Sequence, residues 1–311
     1  TVKRSIELDL AAIFSDVGTL DCLPENRKLV LEKIVDADAY LASASIRIDE
    51  EFLNCAPSLK LIGSPSTGTD HMDLSLIKSR GVQVLDISKE RNLLNQFTAT
   101  SELAFSLMLN LCRNVLPAAQ SALSGKWGRE NFSGSQLYGK TLGIVGLGRL
   151  GSISAKIGNG FGMNVIGADP YIDHHSIADI VSFEELLGAS DIISLHIHLN
   201  EKTEHLIGRE QFQLMKRNCV LINTSRGRII DEVELLRALE NKWIMAAGLD
   251  VIDGEWLSDE ERKHHPLIQY AINNQNLLIL PHIGGSTSET VDGARIFMAK
   301  KMTETLSNLD C

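Results

Sequence analysis

Aromatic residues make up only 5% of this 311-residue chain, so its core must be built mainly from aliphatic side chains. Cysteine is scarce as well. Cys22, Cys55, Cys112, Cys219 and Cys311 are odd in number, scattered, and form no CxxC pair. That pattern argues against a disulfide framework or a structural zinc site and fits a reducing, cytoplasmic setting. No apolar run approaches the roughly 18 residues of a membrane span, so none is expected. Thr1 to Asp9 carry charges where a signal peptide would carry its apolar core, so no leader is expected either. Positive charge is the minority sign: 30 Lys and Arg stand against 40 Asp and Glu, a formal net charge of −10. An acidic chain with no long basic run is a poor nucleic-acid binder, though local basic residues can still hold a small anion. There is no internal repeat and no low-complexity segment.

What is present is a globular balance, 44% hydrophobic and 23% charged, in a chain long enough for two cores. The first hundred residues alternate short apolar runs with helical patterns. Strands are expected at Ala11–Phe14, Ala39–Ala42, Leu59–Gly63 and Val82–Leu85, with an amphipathic helix at Leu29–Ile34. Such alternation predicts parallel α/β layers. A long helix is expected from Thr98 to Leu116, its wide apolar stripe including Leu103, Phe105, Leu107, Met108 and Leu111, with Thr98 or Thr100 as its cap. Pro117 tests that helix without necessarily ending it. Six strands then follow: Thr141–Val145, Asn164–Ala168, Ile192–Leu195, Cys219–Ile222, Met245–Val251 and Leu277–Leu280. They predict a doubly wound parallel sheet over residues 105–283. A last helix, Thr287–Leu309, would return to the first lobe. The expected division is a substrate domain at 1–104, completed by 284–311, and a dinucleotide-binding domain at 105–283.

The sharpest local pattern is Gly146-Leu147-Gly148-Arg149-Leu150-Gly151, set between a predicted strand and a predicted helix. Gly146 permits the turn, Gly148 lets a pyrophosphate approach the backbone, and Gly151 lets helix and strand pack closely. The helix N-terminus offers N–H groups to the phosphates. Asp169 ends the second strand, where a carboxylate can bind ribose hydroxyls and repel a 2′-phosphate. NAD is therefore expected over NADP. Arg226, Glu255 and His282 follow three further strand ends, where open α/β sheets place their sites. A His suits proton donation to a carbonyl oxygen, a Glu beside it favours the imidazolium, and an Arg forks onto a carboxylate. From spacing alone, a structural role for any one of them stays open.

These segments resemble the D-isomer-specific 2-hydroxyacid dehydrogenases, particularly their phosphoglycerate dehydrogenase-like branch. The resemblance runs through residues 139–151, Phe161-Gly162-Met163, Asp169-Pro170, Leu195-His196 and Met215-Lys216. It continues through residues 221–227, Gly248-Leu249-Asp250-Val251 and residues 281–287. Ser66-Thr67-Gly68-Thr69-Asp70 and Ser101-Glu102 extend it toward the N-terminus.

The resemblance implies a two-lobed fold, with a Rossmann nucleotide-binding domain beside a smaller flavodoxin-like α/β substrate domain, and hinge closure of the cleft. It implies hydride transfer between NAD(H) and a small D-2-hydroxy or 2-keto acid. Candidates are 3-phosphoglycerate, glycerate or hydroxypyruvate, and glyoxylate. Arg226 would bind substrate, His282 would be the acid/base, and Glu255 would orient and charge His282. Cofactor contacts are implied for Gly146, Gly148, Arg149, Leu150, Gly151, Asp169, Pro170, His196, Thr224 and Asp250. Ser66, Thr67 and Gly68 would hold the substrate carboxylate together with Arg226. A homodimer through the nucleotide domains is implied, and no further regulatory domain is expected after the last helix.

Some positions depart from the family pattern. Trp256 stands where Pro is usual, and Ser64 where some phosphoglycerate enzymes carry Arg. His198 replaces a usual Pro and is either a second titrating group near the nicotinamide or a solvent-facing loop residue. The charged stretch 259–265 reads as a surface excursion, and no metal is assigned to His264 and His265. Two alternatives compete with the dehydrogenase: an NAD(H)-sensing regulator on the same fold, and an NAD-dependent hydrolase on a related one. The presence of the Arg, Glu and His together disfavours both.

Overall fold

The computed structural model describes residues 2–309; Cys311 lies outside the described residues. The chain divides into two compact units. One runs up to Phe97 and resumes at Ser286, and the other is Thr98–Gly285.

The smaller unit is built on three parallel strands, β1 (Ala39–Leu41), β2 (Leu61–Gly63) and β3 (Gln83–Leu85), side by side in that order. One face buries Ile48, Phe52, Ile62 and Ile77. The other carries Leu61 against Met298 and Met302 of the helix Ser288–Leu309 and against Ile6, Leu10 and Phe14. Those last three residues explain a correction. The strand expected at Ala11–Phe14 belongs to a helix, Val2–Phe14. Ile6, Leu10 and Phe14 recur every four residues, so a helix puts all three on the buried stripe, whereas a four-residue window shows only an apolar run.

The larger unit holds seven parallel strands: β4 (Thr141–Val145), β5 (Asn164–Ala168), β6 (Asp179–Ile180), β7 (Ile192–Leu195), β8 (Val220–Asn223), β9 (Ala246–Leu249) and β10 (Leu277–Ile279). Their order is β10-β9-β8-β7-β4-β5-β6. Six strands were expected; the seventh, β6, has only two residues and too little apolar pattern to read. The order reverses between β4 and β7. The C-terminal ends of those two strands therefore flank the crevice where such sheets bind ligands. Leu142, Ile144, Ile192, Ile193, Leu221 and Ile222 are fully or almost fully buried. Each contributes about 1.5–3 kcal/mol by leaving water.

The helix Ala99–Arg113 packs across β8 and β9 through Ala104, Leu107 and Met108. It belongs to the larger unit from its first turn, whereas the expected boundary after residue 104 fell inside it. Thr98 occupies its N-cap position, but its hydroxyl bonds Glu102 rather than a backbone N–H. The helix stops at Asn114, which is left-handed with φ 53°, and a second helix, Val115–Leu123, starts there. Asn tolerates that conformation. The break thus precedes Pro117, which sits in the first turn of the new helix, where its missing N–H costs nothing.

Candidate active site

The glycine loop follows β4 directly. Gly146 has φ +87°, and a Cβ on it would meet the His196 carbonyl oxygen at 2.7 Å, because β7 ends alongside. A Cβ on Gly151 would lie 2.0 Å from the Gly146 carbonyl oxygen, so helix and turn fit together only as glycines. Around Gly148, by contrast, a Cβ would meet nothing within 4 Å beyond its own stretch of chain. Gly148 caps the helix Arg149–Gly160 without a side-chain bond. Exposed backbone, open approach and the helix N-terminus suit a pyrophosphate.

Asp169, just beyond β5, braces this loop. Its Oδ2 accepts the Leu147 N–H at 2.9 Å and its Oδ1 accepts that of Tyr171 at 3.0 Å. Carboxylate oxygens accept more than one bond each, so capacity for ribose hydroxyls remains. Pro170 follows it. At the end of β8, Thr224 buries a hydroxyl that has no hydrogen-bond partner. At the end of β7, His196 Nε2 lies 2.9 Å from the Ser194 hydroxyl, and burial pushes its pKa down to about 4. His196 is therefore a neutral imidazole. The open glycine loop and the orphaned Thr224 hydroxyl fit a nicotinamide dinucleotide.

The three strand-end residues of the larger unit converge. After β8, the Asn223 carboxamide shapes the turn: its Nδ2 donates to the Arg226 carbonyl at 2.9 Å, and its Oδ1 accepts from the Ser225 N–H and hydroxyl. The Arg226 Nη1 donates to the Ser225 carbonyl at 2.7 Å. After β10, His282 has φ 53°, an uncommon backbone for a residue with a Cβ. Asp250, at the end of β9 and almost fully buried, holds that segment. Its carbonyl accepts the His282 N–H, and its two carboxylate oxygens accept those of Ile283 and Gly284 at 2.8 and 2.7 Å. Asp250, a residue for which a cofactor contact is expected, also grips the backbone beside His282 with its carboxylate. Burial raises its pKa against the lowering effect of those two N–H bonds.

His282 Nδ1 lies 2.6 Å from Glu255 Oε2. That hydrogen bond raises the His282 pKa above its ordinary value; burial and the Arg226 charge oppose the rise, and the charges of Glu255 and Asp250 assist it. With Nδ1 donating to Glu255, Nε2 is the ring nitrogen left for another partner. Arg226 is thus near enough to His282 to act on its charge, and the three groups form one polar cluster.

In the smaller unit, Ser66 bonds the Ser64 hydroxyl at 2.9 Å and donates to the Gly68 carbonyl at 2.8 Å. Ser64 is fully buried there. His198 is exposed, and its carbonyl accepts the Thr203 hydroxyl, which matches the solvent-facing alternative. The charged excursion forms a short surface helix, Asp259–Lys263, capped by Ser258. His264 is exposed while His265 is buried, so the neighbouring imidazoles part company. Asn223 is a residue that sequence reasoning missed. The signal that could have singled it out is an Asn ending a buried strand directly before the turn to Arg226.

Residues 105–284 match the family described as D-isomer specific 2-hydroxyacid dehydrogenase, NAD binding domain. The chain belongs to this family. Over 312 residues it is 35% identical to D-3-phosphoglycerate dehydrogenase of Methanocaldococcus jannaschii, covering 98% of this chain but only 57% of that relative. It is 37% identical over 287 residues to glyoxylate reductase of Thermococcus litoralis, covering 89% and 82% of the two chains. The structure resembles that of D-lactate dehydrogenase from Aquifex aeolicus, solved with NAD and lactic acid. There the TM-score is 0.76 at 27% identity, with 96% and 91% of the chains covered. The chain is accordingly an NAD-dependent oxidoreductase of small D-2-hydroxy and 2-keto acids. Among the described residues no helix is long and apolar enough to cross a membrane.

Proposed function

We propose that the chain reduces a small, unphosphorylated 2-keto acid such as glyoxylate or hydroxypyruvate, with His282 as proton donor. The observation that carries this is the 2.6 Å His282–Glu255 bond beside Arg226. NADH bound at the glycine loop would supply the hydride. As negative charge gathers on the substrate carbonyl oxygen, the proton on His282 Nε2 passes to it. Arg226 stabilises that charge and pins the neighbouring carboxylate. In oxidation, neutral His282 takes the hydroxyl proton. In the smaller unit we assign the carboxylate contact to the backbone of Ser66, Thr67 and Gly68, whose loop carries no Lys or Arg between Ser64 and Asp70. That lack of a cation, with Ser64 buried against Ser66, favours substrates without a phosphate. A panel of 2-keto acids followed by NADH absorbance tests it. Phosphohydroxypyruvate turned over more efficiently than glyoxylate and hydroxypyruvate would reject this substrate class.

Replacing Glu255 by Gln keeps a hydrogen-bonding group and removes its charge. Reduction needs the imidazolium, so its efficiency declines as pH rises through the His282 pKa. Glu255 raises that pKa. In the Gln variant the decline is expected at lower pH, and the rise of oxidation also moves to lower pH, with NADH affinity nearly unchanged. Superimposable pH profiles would remove Glu255 from this role.

The cofactor contacts are assigned to Gly146, Gly148, Arg149, Leu150, Gly151, Asp169, Pro170, His196, Thr224 and Asp250. Asp169 sets NAD over NADP by repelling a 2′-phosphate. Catalytic efficiency should favour NADH over NADPH by at least about tenfold, the scale of 1.4 kcal/mol. Asp169→Ala should narrow the ratio mainly by losing NADH. Equal efficiencies in the parent protein would count against the assignment.

We also assign a homodimer, formed through the larger unit. The helix Val115–Leu123 buries none of its residues, and Leu123 and Trp127 are 90% and 84% exposed. Beside it lies a groove of about 640 Å³ lined by Phe105, Leu109, Val115, Ile153 and Ile157. Exposed apolar surface of this kind marks association sites. Light scattering should give twice the 34.2 kDa chain mass, and Leu123→Asp with Trp127→Ala should shift it toward one chain. A parent protein that elutes as a single chain at micromolar concentration would refute the dimer. The unpaired cysteines, of which Cys112 and Cys219 are buried, support a cytoplasmic setting. Cell fractionation reads this directly.

A further inference from the structure

A second histidine–carboxylate pair lies directly behind Glu255. After β9 the chain runs Asp250, Val251, Ile252, Asp253, Gly254 and then Glu255. Both polar groups of the Asp253 backbone are taken by side chains from elsewhere. Its N–H donates to Glu232 Oε1 at 2.8 Å. Its carbonyl lies 2.7 Å from His265 Nε2 and can only accept, so Nε2 carries a proton and donates. The same Nε2 lies 3.2 Å from Glu232 Oε2, which closes a triangle of Glu232, His265 and the Asp253 backbone. Glu232 opens the helix Glu232–Glu240 and His265 caps the helix Pro266–Asn273, so two helix starts grip one residue of the loop. His265 is 8% exposed, and its Nδ1 is buried without a partner.

The grip falls where the two arms of the polar cluster touch. A Cβ on Gly227 would lie 2.1 Å from the Ile252 carbonyl carbon and 2.4 Å from the Asp253 nitrogen. The turn bearing Arg226 and the loop bearing Glu255 are therefore packed backbone to backbone at Asp253. Gly254, with φ +114°, then turns the chain, and two residues beyond the grip Glu255 meets His282. Arg262 adds a hold on the far side, donating to the Glu255 carbonyl at 3.0 Å.

We propose that Glu232 and His265 are a positioning pair that fixes the Asp253 peptide, and through it the loop presenting Glu255 to His282. This rests on the assignment of Glu255 and His282 above. A buried imidazole in hydrogen-bond contact with a backbone carbonyl and a carboxylate is an expensive way to fill space. An apolar side chain would leave the Asp253 carbonyl unpaired, at a cost of about 1–3 kcal/mol. Burial, together with the charges of Asp253, Asp231 and Glu255, pushes the Glu232 carboxyl up to about 7, against the lowering bond from the Asp253 N–H. Near neutral pH, replacing it by Gln is therefore a mild change that keeps an acceptor for that N–H.

The test follows the His282 ring by NMR titration in the full-length protein, alongside the pH profile of 2-keto acid reduction. His265→Ala and Glu232→Ala each remove one hold on Asp253. Both should lower the His282 midpoint by about one pH unit and reduce kcat about tenfold, leaving KM for NADH within about twofold. His265→Gln and Glu232→Gln, which restore a donor and an acceptor, should return midpoint and kcat close to the parent values. Glu255→Gln calibrates the assay. If it lowers the midpoint while both Ala variants keep the parent value, the positioning role is wrong and the catalytic pair stands. If it too leaves the midpoint unmoved, the catalytic pair is wrong and the positioning role falls with it. Ala and Gln variants that behave alike would overturn the role as well. Should His265→Ala fail to fold, Glu232→Ala and its Gln partner decide the matter.

Discussion

Replacing His282 by Ala is expected to cut turnover in both directions by roughly 10²–10⁴-fold, the scale of general acid–base catalysis. The substitution removes the ring whose Nδ1 is held 2.6 Å from Glu255 and whose Nε2 is the proposed donor. Little else should change. The side chain is 46% exposed, so its loss opens no core cavity. The φ of 53° strains Ala as it strains His, and Asp250 still holds the backbone at Ile283 and Gly284. His282→Asn is a useful companion, because Asn adopts that conformation more readily. Both variants should bind NADH like the parent protein, as read by nicotinamide fluorescence, and both should fail in single-turnover reduction. Turnover at the parent level would sink the assignment. The replacement acid would then be sought among the other histidines. His196, held neutral by a pKa of about 4, is a poor donor at pH 7, and His198 faces solvent.

Arg226→Lys is expected to lower kcat/KM for the keto acid by about 10²–10³-fold, the cost of removing one donor to a developing oxyanion. The charge is conserved and the geometry is not. Guanidinium presents a planar fork that can engage a carboxylate and an adjacent carbonyl oxygen together, whereas ammonium is a point charge on a flexible stem. Asn223 fixes the turn through the Arg226 carbonyl, and the guanidinium is anchored on the Ser225 carbonyl, so the fork is held on a shaped turn. Loss should appear in both KM for the keto acid and kcat, while NADH affinity stays near the parent value. Removing the Arg226 charge also removes one opponent of the His282 proton. Lys keeps that charge, so the pH profile should barely move. A Lys variant with the parent efficiency would show that the site uses Arg226 for charge alone.

Much of this protein is written in local sequence. The glycine spacing after an apolar strand, the acid at the end of the next strand, and the polar residues after β8, β9 and β10 are short-range patterns. Strand and helix periodicities report them without a fold. The same physics explains the misses. Ala11–Phe14 is an apolar run in a four-residue window; the Ile6, Leu10, Phe14 spacing that marks a helix needs a longer one, and that stripe packs with Met298 and Met302 from far along the chain. The two-residue β6 pairs with β5 through backbone bonds and leaves almost no side-chain signature. The helix break at Asn114 turns on a left-handed φ that Asn tolerates but does not announce. Tertiary structure alone decided that Asp250 grips the His282 segment and that Glu232 and His265 close on Asp253. Those partners lie 12 to 34 residues apart in sequence, and hydrogen bonding between them depends on ångström-level distances that spacing along a chain does not encode.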